Sequence, residues 1–130
     1  MKLSVVIPAY NEMESLPETL GSLYAKLSAE NIPHELLVVN DNSKDNTLTV
    51  LESLSKEINT LVYITNPGPN GFGMAVRYGM ERFSGDCMAL VMADLSDSPD
   101  DLVRFYRKMM EGNYDCVFGT RFSQGGKVYN

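Results

Sequence analysis

The sequence predicts an α/β fold, a mostly parallel sheet with helices on both faces. Short runs rich in Val, Ile and Leu alternate along the chain with segments whose apolar residues recur three or four apart. A polar or Gly-rich turn follows each apolar run, and no repeat or low-complexity tract interrupts the order. The run Cys87–Ala93 is apolar throughout, as a strand buried on both faces of a parallel sheet would be. Such alternation implies right-handed βαβ crossovers.

Leu3–Pro8, centred on Val5, Val6 and Ile7, is the first strand, and Ala9-Tyr10-Asn11-Glu12 is its turn. Ser15-Leu16-Pro17-Glu18 matches a capping box, and Leu16, Leu20, Leu23 and Leu27 continue it as one helix face. Glu35–Asn40 is the second strand, followed by a helix from Thr47 to about Ile58 on Leu48, Leu51, Leu54 and Ile58. Leu61–Thr65 is the third strand. Two prolines and a glycine in Asn66-Pro67-Gly68-Pro69-Asn70 exclude both helix and central strand. A third helix runs from near Gly71 to Phe83 with Ala75, Val76, Met80 and Phe83 on its apolar face. The strand Cys87–Ala93 follows, then a helix from Pro99 to Met110 and a last strand, Asp115–Gly119. Thr120–Asn130 is polar and Gly-rich and is expected to close no element, like a loop cut before its next partner.

The 130 residues suit one domain with an ordinary core. A net charge of −6 argues against nucleic-acid binding, which needs a basic surface, so an anionic ligand requires local help from a cation, an arginine or helix N-termini. Cys87 and Cys116 fall in apolar runs and are expected as buried thiols of a reducing compartment. No stretch approaches the ~20 apolar residues of a membrane span, and Met1-Lys2-Leu3 enters a strand without a signal-peptide profile. The expectation is a soluble, cytoplasmic chain.

Every strand ends in polar sequence, which makes one sheet edge a ligand edge. Asp94 stands at the tip of the fourth strand and Asp97 just beyond it. Ser98, Pro99 and Asp101 supply the helix cap themselves, which frees Asp94 and Asp97 to face a ligand. Acids around Ser96, with no His close by in sequence, suit a hard divalent cation on phosphate oxygens better than zinc. Asp41 is a candidate acceptor for a base N–H or ribose hydroxyl, the competing role being an Asx turn with Asn40 and Asn42; Asp45 is an ordinary cap. Gly71-Phe72-Gly73 resembles a dinucleotide fingerprint only in part, because Val76 stands at the third glycine position. Gly71, Gly73 and Arg77 could still bring amides and a guanidinium to a diphosphate; alternatively the glycines serve a left-handed turn or close packing, and Arg77 is a solvated charge. Tyr10 either stacks on a base or covers the sheet edge. His34 is structural or solvent-exposed, because neither an acid nor a nucleophile neighbour makes it a catalytic pair.

Five segments in order, Leu3 to Glu12, Val39 to Thr47, Asn70 to Ala75, Met92 to Asp97 and Gly119 to Phe122, resemble the family-2 glycosyltransferases of GT-A fold. The resemblance is strongest to the dolichol-phosphate mannose synthase and polyprenyl-phosphate glycosyltransferase branch. It implies a Rossmann-like nucleotide-sugar domain, apparently truncated, with Pro8, Ala9, Tyr10, Glu12 and Asp41 on the nucleotide. It places Mg²⁺ or Mn²⁺ on Asp94, with Ser96 or Asp97 as second contributor, and Arg121 as a candidate contact to acceptor or phosphate. Met92 occupies the position of the usual first acid of the D-x-D segment, and Asn40 stands where an acid pair is common. The implied reaction is inverting sugar transfer from GDP-mannose or a UDP-sugar to an acceptor, with polyprenyl or dolichyl phosphate first among acceptors. The implied place of action is the cytoplasmic face of a membrane, held peripherally. The alternative is a nucleotide-binding module that lacks the acceptor half and transfers nothing alone.

Overall fold

A computed structural model describes residues 2–94, 98–112, 116–118 and 127–129. The chain runs β1 (Leu3–Ala9), α1 (Leu16–Ala29), β2 (His34–Asn40), α2 (Thr47–Glu57), β3 (Leu61–Thr65), α3 (Phe72–Met80), β4 (Cys87–Leu90), α4 (Pro99–Gly112), β5 (Cys116–Phe118) and β6 (Lys127–Tyr129). β3, β2, β1 and β4 form a four-stranded parallel sheet in that order. β1 and β2 lie at its centre, with Ile7 opposite Val38 and Ala9 opposite Asn40.

Alternate residues of each strand point to opposite faces, and the core divides accordingly. Val5, Ile7, Leu36 and Val38 pack on one face with Leu16, Leu20, Leu23 and Leu27 of α1, Leu51 of α2, and Leu102, Val103 and Tyr106 of α4. Val6, Leu37 and Val39 face the other way, onto Ala75 and Tyr78 of α3. Helices therefore cover both faces, as expected. α3 lies unusually close to the sheet, because a Cβ on Gly79 would stand 2.6 Å from Val6 Cγ1 and 3.1 Å from Val39 Cγ2.

Several details differ from the sequence expectation. β4 stops at Leu90 rather than Ala93. Val91 N still donates to Val6 O at 3.0 Å, but beyond it the Ala93 carbonyl accepts side-chain hydroxyls, Ser15 Oγ just before α1 at 2.7 Å and Thr19 Oγ1 of α1 at 3.1 Å, instead of a ladder amide. Met88 and Leu90 are only half-buried, so β4 is not sealed on both faces. α3 ends at Met80, which is exposed, while Gly79 takes the buried position. Lys127–Tyr129 does close an element: it pairs antiparallel with Cys116–Phe118 in a separate two-stranded sheet. Three residues are too few to display a period, so the sequence carries little trace of β6.

His34 is structural, its Nδ1 2.9 Å from Ile32 O and its Nε2 3.0 Å from Thr60 Oγ1. Cys87 is buried, its Sγ 3.7 Å from Lys2 O; the Cys116 side chain lies outside the described residues. No helix among the described residues is long and apolar enough to cross a membrane.

Candidate functional site

The loops after β1 and β2 are joined side by side at the C-terminal edge of the sheet. Asn11 and Asn42 both adopt positive φ, 53° and 58°, a region that asparagine tolerates better than most residues. Asn11 N donates to Ser43 Oγ at 2.9 Å, and Asn11 Oδ1 accepts Lys44 N at 2.7 Å. Glu12 N donates to Thr47 Oγ1 at 3.1 Å. Asp45 accepts from Thr47 N at 2.9 Å and from Met13 N at 3.4 Å. Partial burial works against charge on Asp45, and these bonds outweigh it, holding its carboxyl below the ordinary aspartate value. Asn40 Oδ1 accepts Ser43 N at 3.1 Å, so the turn-forming Asx role belongs to Asn40 rather than Asp41.

Asp41 is thereby available for another task. It is 5% exposed, and its carboxylate accepts Asn66 Nδ2 at 3.0 Å and Gly71 N at 2.8 Å. Gly71 precedes α3 at φ 144°, ψ 146°, a conformation essentially confined to glycine. The start of α3 is thus held to the end of β2. Between them opens a cleft of about 430 Å³, floored by Pro8 and Ala9 of β1 with Asp41, and walled by Tyr10, Glu12, Gly71 and Phe72. Asn70, Ala75 and Met92 complete its lining.

Six of the residues singled out in the sequence, Pro8, Ala9, Tyr10, Glu12, Asp41 and Gly71, therefore meet in one cleft. Glu12 also lines a neighbouring cavity of about 450 Å³ with Asn11, Glu14, Ser15, Asp45 and Asp94, so Asp94 stands beside the cleft, across Glu12. Gly73 and Arg77 are not brought to the cleft. Gly73 is exposed at the helix surface, and Arg77 lines a separate depression of about 310 Å³ with Asn66, Gly68, Tyr78 and Glu81. Ala75 faces the cleft, and two residues on, about 200° around the helix, Arg77 faces away. Ser96, Asp97 and Arg121 lie outside the described residues.

Phe72 was not singled out by sequence. It is 52% exposed at the lip of the cleft, and nothing in its helical spacing marks it as facing a ligand rather than a core. The capping box is a correction: Ser15 makes no side-chain cap bond, and its hydroxyl lies 2.8 Å from Glu12 Oε2 and 2.7 Å from Ala93 O. The hydroxyl is turned to donate to these oxygens rather than to accept a free N–H of its own helix.

Among the described residues no three His, Cys, Asp or Glu side chains converge as a metal-ligating group. Magnesium-type ions are ordinarily held by one or two carboxylates together with substrate phosphates. The exposed Asp94 fits that mode of binding, in which the cation arrives with the diphosphate; Met92 in the cleft lining supplies no second carboxylate.

The sequence profile of the family "Glycosyl transferase family 2" matches residues 4–130. The chain belongs to this family. It is 35% identical over 130 residues to a dolichol-phosphate mannosyltransferase of Pyrococcus furiosus, covering 100% of this chain and 36% of that protein. It is 35% identical over 121 residues to an undecaprenyl-phosphate 4-deoxy-4-formamido-L-arabinose transferase of Serratia proteamaculans, covering 92% of this chain and 37% of that one. The mannosyltransferase PcManGT of Pyrobaculum calidifontis, solved with GDP-Man and Mn²⁺, superposes with a TM-score of 0.73 at 20% identity over 86% of this chain and 33% of its own. That likeness establishes the GT-A architecture. The family-2 chain described here spans about a third of the length of these relatives.

Proposed function

We propose that these 130 residues are the donor-binding part of a glycosyltransferase, holding a nucleoside-diphosphate sugar in the Pro8–Gly71 cleft. The observation that carries this is the convergence of Pro8, Ala9, Tyr10, Asp41 and Gly71 in one cleft at the C-terminal edge of a parallel sheet, where such folds bind their ligands. Asp41 accepts N–H or hydroxyl donors of the nucleoside, Tyr10 and Phe72 offer ring faces to a base, and the N-terminal amides of α3 favour an anion.

Asp94, with Ser96 or Asp97, would hold Mg²⁺ or Mn²⁺, which supplies neutralisation of the charge that develops on the departing diphosphate. The reaction is inverting transfer to a polyprenyl phosphate. An acceptor phosphate oxygen forms the new bond to the anomeric carbon as the bond to the diphosphate breaks. Being anionic already, it requires no general base, unlike a hydroxyl acceptor. Two relatives named for dolichol-phosphate and undecaprenyl-phosphate transfer support this acceptor class, and acceptors of that kind would bring the protein to a membrane surface. The fold neighbour solved with GDP-Man and Mn²⁺ supports a divalent ion with a guanosine donor.

Because the chain spans about a third of its relatives, donor binding is assigned to the chain and transfer to the protein of full relative length. Calorimetric titration with GDP and UDP, with and without Mn²⁺, tests the first. Metal-enhanced binding that is lost in Asp94→Ala is expected, and metal-independent NADH binding would contradict the assignment. Transfer of labelled sugar to polyprenyl phosphate tests the second, and binding without transfer identifies a nucleotide-binding module.

A further inference from the structure

The segment between β3 and α3 forms the outer wall of the cleft, and it is poorly equipped to hold itself in place. Pro67 and Pro69 have no backbone N–H, so the segment can make few backbone bonds of its own. Asn66 replaces them. It is 3% exposed, and its Nδ2 donates to both Asp41 Oδ1 and Pro69 O at 3.0 Å. Its Oδ1 accepts Gly68 N at 3.1 Å, and its own backbone is tied at both ends, N to Asn40 O at 3.0 Å and O from Asn42 Nδ2 at 2.9 Å. With Gly71 N on Asp41 Oδ2 at 2.8 Å, the result is a closed ring: Asp41 to Asn66, along the segment to Gly71, and back to Asp41.

The position demands an amide. The side chain must donate to a carboxylate and a carbonyl on one side and accept from an amide on the other, which no carboxylate or aliphatic side chain does. We propose that Asn66 is a positioning residue of the donor cleft: it fixes the Asp41 carboxylate and the first turn of α3 in the arrangement that receives the nucleotide. This rests on the nucleotide assignment above. Two of the roughly four lone-pair sites of the Asp41 carboxylate are occupied by the ring, which leaves the remainder for donors of a ligand in the cleft that Asp41 lines.

Asn66→Ala opens the ring, and Asn66→Asp sets two carboxylates against each other. Such a pair shares a proton as pH falls, and the proton restores a hydrogen bond to Asp41. Glu12 lines the same cleft, and Arg77 of α3 and Glu81 just after it line the depression outside Asn66; all are present in the unaltered protein, whose pH profile is the control. The expected results are a loss of GDP or UDP affinity of about tenfold in Asn66→Ala and in Asn66→Asp near neutral pH, consistent with losing a bond to a charged group. Asn66→Asp regains most of that loss by about pH 5.5, where the unaltered protein does not tighten. In the ligand-free protein, exchange of the Gly71 amide accelerates in Asn66→Ala. Should Asn66→Ala not fold, the pH profile of Asn66→Asp decides. Affinities within twofold of the unaltered protein, a parallel pH profile, or unaltered Gly71 exchange overturn the positioning role alone. An unaltered protein that binds neither nucleotide overturns it together with the donor assignment.

Discussion

The Gly71 backbone N–H donates to Asp41 Oδ2 at 2.8 Å, so the residue before α3 is fastened to the acid that ends β2. Gly71 holds φ at 144°, and no atom lies within 4 Å of where its Cβ would stand. The cost of Gly71→Ala is therefore conformational rather than steric, about 1–3 kcal/mol in urea unfolding. Relief of that strain swings the amide off Asp41, and nucleotide affinity falls with it. A stable Gly71→Ala protein with undiminished affinity would show that the bond has no part in the cleft.

Gly79 is packed against the sheet and Gly73 is exposed on the same helix, and they predict opposite outcomes. Gly79→Ala drives a methyl to 2.6 Å from Val6 Cγ1 and lifts α3 from the sheet, a loss of about 1–3 kcal/mol. Gly73 is helical and exposed, with nothing within 4 Å, so Gly73→Ala gains about 0.5–1 kcal/mol from helix propensity. Gly73→Ala keeps the backbone amide and Gly73 does not line the cleft, so nucleotide affinity is unmoved. Thermal unfolding and calorimetry on the two variants check both statements.

Stability falls in acid through Glu35. Burial opposes its charge, but hydrogen bonds from Ser4 Oγ at 2.6 Å and Ser84 N at 2.6 Å outweigh burial and hold its carboxyl below the usual glutamate value. A depressed folded-state value means that the contribution is fully present above the unfolded value, about pH 4.3, and is lost as pH falls through the folded one. In Glu35→Gln that increment, about 1–2 kcal/mol, is absent, and unfolding free energy between pH 6 and pH 3 declines less steeply than in the unaltered protein. Parallel declines would exclude Glu35 as a source.

Ser15→Ala removes a hydroxyl that bridges Glu12 and the Ala93 carbonyl, at a cost of about 1 kcal/mol. Glu18→Ala removes only an exposed acid of the first turn and changes stability by less than about 0.5 kcal/mol. Comparable losses in a thermal scan of the two would restore the capping box that the sequence pattern predicts.

The parallel sheet was legible because Val5-Val6-Ile7 and Leu36 to Val39 are too apolar for a one-sided strand and the leucines of α1 keep a helical period. The cleft was legible because polar residues follow every strand, and family motifs assigned Pro8, Ala9, Tyr10, Glu12 and Asp41 to it. Helical rotation was the hidden quantity: Gly73 and Arg77 are near Gly71 in sequence, yet turn away from the cleft that Ala75 faces. Ser15 and Asn66 were hidden for a different reason. Their partners, Ala93 at a separation of 78 residues and Asp41 at 25, are brought near only by the sheet order β3-β2-β1-β4.

The most direct test of the donor-cleft assignment is amide chemical-shift mapping during titration with GDP and with UDP. Perturbations are predicted at Ala9, Tyr10, Glu12, Asp41, Asn70, Gly71 and Phe72, the cleft lining, with Gly68 and Glu81 of the outer depression unmoved. Shifts centred on Gly68, Arg77 and Glu81, or none with either nucleotide, would contradict it.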